Sequence, residues 1–137
     1  MNTVIPTPDN LINIVNKKDS EEIFMAKQVF EAKENEKVFA NKVSADCWKS
    51  PKQLVSRQVS GKAYLTDQRI VFLASGLIGT ESVSWEIEMK DVASVKGCLT
   101  PPFFPFGVLI TLKDGSQYKL AFLSRKKYLD WISQQIS

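Results

Sequence analysis

Histidine is absent from this 137-residue chain. That removes the commonest general base near neutral pH and the commonest metal ligand. Cysteine is scarce, and Cys47 and Cys98 stand far apart, so a four-thiolate zinc site is excluded. A disulfide between them is left open, but without a secretion signal two reduced, buried thiols are the expectation. No apolar run approaches the roughly 20 residues that span a bilayer. Met1–Asn16 has no basic start followed by an apolar block, which makes a cytoplasmic location the default expectation. Glycine-rich phosphate loops, catalytic triads and metal-ligand spacings are missing too. An enzyme of this composition would have to arrange carboxylates or lysines through its fold. We expect no cofactor and no metal.

Arginine is also scarce, at three residues against fifteen lysines. The charge that is present is unevenly placed: residues 1–48 carry net −2 and residues 49–137 net +5. That imbalance is too small for a dedicated nucleic-acid binder but favours an anionic surface as partner. Two clusters carry it, Lys49, Lys52, Arg57 and Lys62 with no acid between them, and Arg125, Lys126 and Lys127. The plain alternative for each is a set of solvated lysines on loops.

The apolar pattern changes period along the chain. Asp9 can cap a short helix with Leu11 and Val15 on one face, and Asp19 with Glu22 opens a second helix in which Ile23, Ala26 and Phe30 recur at helical spacing. In Glu36–Trp48 the residues Phe39, Val43 and Cys47 fit a helix face, or one side of a strand together with Asn41 and Ala45. We read a strand, because the later segments require an antiparallel partner. From Val59 the period is two. Val59, Gly61, Ala63 and Leu65 alternate with polar residues, Thr66–Arg69 turns the chain, and Ile70–Leu73 returns buried. Gly76 and Gly79 mark a loop before Val83, Trp85, Ile87 and Met89, whose polar partners Glu86 and Glu88 read as a solvated outer face. A short strand from Val92 to Gly97 follows. Val108, Ile110 and Leu112 pair through a two-residue primed turn at Asp114-Gly115 with Tyr118, Leu120 and Phe122. Ser124 caps a last helix with Tyr128, Leu129, Ile132 and Ile136 on one face. Six or seven antiparallel strands and one amphipathic helix predict a small barrel or sandwich with a plugged end.

The run Gly61–Phe72, with its Gly-Lys-Ala-Tyr-Leu-Thr strand, turn and Arg-Ile-Val-Phe return, resembles the GRAM domain and related bacterial PH-like families. The likeness continues through Ile87–Val95, Asp114-Gly115, the strand to Phe122, and Arg125. Ala63 departs from the leucine usual there. The resemblance implies a mainly β, PH-like fold: two near-orthogonal antiparallel sheets forming a seven-stranded, partly open barrel capped by a C-terminal α-helix. On that reading residues 1–35 are an N-terminal helical extension and residues 36–137 the GRAM/PH-like domain. The resemblance also implies a non-catalytic binding module, not an enzyme, with Lys49, Lys52 and Arg57 in the connection that gathers cations around an inositol phosphate in PH relatives.

Leu99–Gly107 holds three prolines and three phenylalanines. The prolines predict a loop in place of a paired strand. Phe103, Phe104 and Phe106 then have three destinations: folded back into a barrel end, into a membrane, or against another chain. Arg125–Lys127 stands in the first turn of a helix, against its dipole. It marks either an anion site or an arginine paired with an acid such as Asp67 or Asp91. The expected activity is docking through protein–protein contact, self-association included. Peripheral binding to anionic headgroups such as phosphoinositides is the alternative, which would place the chain at the membrane periphery. Nucleic acid is disfavoured, because Phe103–Phe106 has no cation beside it in sequence.

Overall fold

The computed structural model describes residues 29–75 and 83–137. The first of the two expected N-terminal helices, the second up to residue 28, and the loop glycines Gly76 and Gly79 lie outside the described residues; Val29 and Phe30, expected at the end of the second helix, are not helical. Glu31–Ser137 forms one compact unit. Its strands are β1 (Val38–Lys49), β2 (Val59–Thr66), β3 (Arg69–Ala74), β4 (Trp85–Glu88), β5 (Val92–Thr100), β6 (Phe104–Leu112) and β7 (Gln117–Ala121), followed by helix α1 (Arg125–Ile136). A short 3₁₀ turn, Met89–Asp91, joins β4 to β5.

Every pairing is antiparallel, and the strand order is β4-β3-β2-β1-β7-β6-β5. The hydrogen bonding therefore runs as one continuous sheet, where two were expected. β1 links its two wings, pairing with β2 along most of its length and with β7 only from Asp46 onward. β4 and β5 are the outer strands and leave the barrel open between them. Phe72, Phe122, Leu65, Ile70, Ile110, Leu120 and Ile132 are wholly buried inside. α1 packs on β5 and β6, burying Tyr128 and Ile132 as its spacing predicts.

Four local expectations are corrected. In β1 the face reverses partway: Ala40, Ala45 and Cys47 point to the core, whereas Phe39 and Asn41 do not. Lys42 adopts a left-handed φ of 57° and the register shifts between Ala40 and Val43. A bulge of this kind inserts one residue and flips the alternation. Phe39 instead stacks on Trp131, with centroids 4.5 Å apart. The Asp114-Gly115 turn is not primed, because only Gly115 has positive φ, at 92°. Gly115 donates to the Leu112 carbonyl and Leu112 to the Ser116 carbonyl, giving a three-residue connection with glycine in the left-handed position. Both thiols are free, but only Cys47 is buried and Cys98 is half-buried. Ser124 stands at the helix N-cap without a side-chain hydrogen bond.

The largest surprise for the sequence reading is Leu99–Gly107. It is a β-hairpin, with β5 extending past Gly97 to Thr100 and β6 starting at Phe104. Pro101–Phe103 makes the turn, with a cis peptide between Pro101 and Pro102. Pro105 is tolerated in a strand because β6 has only β5 beside it there: its last pair with β7 is Gly107–Ala121.

A buried charge network fastens the chain before β1 to the β2–β3 turn. Arg69 donates to Glu36 through Nε (2.7 Å) and Nη2 (2.9 Å), to Glu86 Oε1 (3.1 Å) and to the Glu31 carbonyl (2.7 Å). Thr66 Oγ1 and the Lys33 amide also donate to the Glu36 carboxylate. That carboxylate has no solvent exposure, and its hydrogen bonds with Arg69 lower its pKa from 4.5 to about 2. A bidentate pair of this kind holds only when its lone pairs are filled, as they are here.

Candidate functional site

All but one of the cations singled out in the sequence fall at two ends of the barrel, and Lys62 lies between them. At one end lies the β1–β2 connection, beside the β6–β7 turn. Lys49 Nζ donates to Gln117 Oε1 at the start of β7 (2.8 Å), and Lys52 Nζ to the Ser84 carbonyl ahead of β4 (2.8 Å). Lys62 lies mid-strand on the outer face of β2 and donates to the Ser44 hydroxyl (3.0 Å). These ammonium groups reach toward three different segments, so they do not converge on one point. Arg57 is exposed, and its carbonyl accepts from Gln53 Nε2 (3.0 Å), the same side chain that accepts from the Cys47 thiol (3.3 Å). Burial pushes the Cys47 pKa up, which keeps it a thiol with little nucleophilic character. Leu54 and Val55 stand exposed on this connection.

The other end is built by three segments distant in sequence. β5 and β6 project as a two-stranded ribbon past the last β6–β7 pair, and the chain leaves β7 beside it to enter α1. Phe103 is 82% exposed, Leu99 56% and Phe104 49%; Leu123, next to the helix start, is 85% exposed. Phe104 and Phe106 stack at 5.6 Å. A shallow cleft of about 590 Å³ runs from Pro105 and Phe106 past Leu123 and Ser124 to Arg125, Lys126, Lys127 and Asp130. Phe106, on which Phe104 stacks, thus lines one cleft with the second basic cluster, from which it is separate in sequence.

Arg125 does not pair with Asp67 or Asp91. Its Nη1 donates to the Cys98 carbonyl (3.2 Å), and the guanidinium lies flat over Gly97, where a Cβ would come within 2.9 Å of it. Glycine at 97 lets the arginine lie against the base of the ribbon without shifting its flexible end. Lys126 forms an exposed pair with Asp130 (2.8 Å), and Lys127 lies 5.1 Å from the Tyr128 ring centre. The patch retains a net positive charge beside its apolar rings. Leu99 and Leu123 were missed in the sequence. The one available signal was a leucine following Phe122, where the alternation of β7 calls for a polar residue.

No family model matches this chain, and no curated protein sequence does. Several solved structures are similar to it. The C-terminal domain of an unknown protein from Leishmania infantum aligns at TM-score 0.58 and 12% identity, over 90% of this chain and 96% of that one. The Vps36 N-terminal PH domain aligns at TM-score 0.56 and 20% identity, over 77% of this chain and 82% of that one. The pleckstrin homology domain of ArhGAP27 aligns at 0.51 and 14%, over 73% and 99% respectively. Together with the seven antiparallel strands and the packed C-terminal helix, these likenesses define a pleckstrin homology fold.

Proposed function

We propose that this chain is a non-catalytic docking module of the GRAM type. Its PH-like barrel is the scaffold, and the β5–β6 tip with the start of α1 is the contact surface. The GRAM assignment rests on the Gly61–Phe72 pattern and its later elements. The docking reading rests on one observation, the apolar side chains Leu99, Phe103 and Phe104 exposed to water on the ribbon, with Leu123 exposed beside the helix start. Each ring gains about 1.5–3 kcal/mol on full burial, a driving force that the folded chain leaves unused.

A second reading is favoured by β5, which is an end strand of the sheet. A partner protein or a second copy can add a strand to such an edge, although Lys96 partway along it opposes that. At the tip itself Pro105 supplies no backbone donor, so contact there is made by side chains.

The test is a Phe103→Trp variant and a Phe103→Ser/Phe104→Ser variant. On the docking reading the new indole is quenched by acrylamide as readily as a free one. The double serine variant keeps the wild-type urea stability within about 1 kcal/mol. A shielded indole, or a loss above about 2 kcal/mol, makes the rings part of the core and removes the proposed surface.

A further inference from the structure

Taking the tip as the contact surface, we infer that its counterpart is the interfacial layer of an anionic lipid bilayer, entered tip first. The surface has two chemistries on neighbouring segments. Leu99, Phe103 and Phe104 end a projecting ribbon, and Lys126 and Lys127 stand at its base on the first turn of α1. A narrow apolar end suits insertion among acyl chains, where binding grows with buried apolar area plus attraction to anionic lipid. Cations at the base then lie at the level of the headgroups. Asp130 is the one acid lining the cleft, and it is already engaged by Lys126 (2.8 Å). The complementarity in charge therefore runs toward an anionic surface.

This end is not the one to which the sequence resemblance assigned anion binding. The register puts the β1–β2 connection and the β6–β7 turn at the opposite ends of β1 and β6 from the tip. Lys49 and Lys52 are occupied there by neutral oxygen partners on separate elements. Insertion at the tip calls for negative charge and a hydrocarbon layer together, with no single headgroup recognised.

The full chain is sedimented with vesicles of phosphatidylcholine alone and of phosphatidylcholine mixed with phosphatidylserine. The inference predicts binding to the mixed vesicles only, reduced by high salt. It falls at least tenfold in Phe103→Ser/Phe104→Ser, and by about fivefold for each charge removed in Lys126→Gln/Lys127→Gln. The lysine variant alters only exposed groups, so it reads out even where the serine variant folds poorly. Lys49→Gln/Lys52→Gln binds within twofold of wild type, and soluble inositol phosphate does not compete. Equal binding to neutral vesicles, loss through Lys49 and Lys52, or competition by inositol phosphate overturns the inference. If vesicles are ignored while the tip variants change the mass of the chain in solution, the docking reading stands and the lipid counterpart falls. If neither changes, both fall.

Discussion

Replacing Glu36 by glutamine keeps its shape and removes its charge. Its carboxylate is covered by Arg69 and Thr66, and its pKa is lowered from 4.5 to about 2. A group whose pKa falls on folding stabilises the native state above the unfolded value and loses that contribution as pH drops through the folded one. The full shift corresponds to about 3 kcal/mol at pH 7; the glutamine oxygen can still accept from Arg69 and keep part of the hydrogen bonding, so about 2–3 kcal/mol is the working figure. By pH 3 the native carboxylate is still mostly ionised and the unfolded one protonated, which leaves about 1–1.5 kcal/mol. Urea unfolding followed by tryptophan fluorescence at a series of pH values measures this directly. Wild type minus Glu36→Gln should be about 2–3 kcal/mol at pH 7 and roughly halve by pH 3. A difference that does not change with pH, or one below about 0.5 kcal/mol at pH 7, refutes the reasoning.

Other sites give simpler expectations. Arg125→Ala should cost about 0.5–1.5 kcal/mol through the lost hydrogen bond to the Cys98 carbonyl; Gly97→Val, which only pushes the flexible end of that arginine aside, should cost no more, and the two should combine to less than their sum, so strict additivity in a double-mutant cycle would deny the brace. Phe122→Ala, at a wholly buried ring, should cost about 3–5 kcal/mol in urea, and a loss near zero would place that ring outside the core. Gly115→Ala, at φ 92°, should destabilise by about 1 kcal/mol by calorimetry, whereas an unchanged melting temperature would contradict the turn geometry.

Where one face of a strand is buried and the other wet, the alternation is readable. β2, β4 and β7 followed from it, and so did the face of α1 that carries Tyr128 and Ile132. The inner face of β1 did not, because the bulge at Lys42 breaks a period that pattern reading assumes is constant. Proline misled the reading of Leu99–Gly107: its missing donor excludes a central strand, but not a strand flanked on one side only. The Glu36–Arg69 pair spans 33 residues, and nothing local marks either partner. The same limit hid the candidate site. Phe106 and Lys127 line one cleft only because Cys98 pairs with Gly107 and β7 ends beside them, and register of that kind is a property of the folded sheet.

The most direct test follows the backbone amide resonances of the isotope-labelled full chain while nanodiscs containing phosphatidylserine are added. Line broadening should begin and concentrate at residues 99–106 and 123–127. Changes centred instead on residues 49–58 and 113–117 would contradict the account, because the barrel would then be meeting the lipid with its other end.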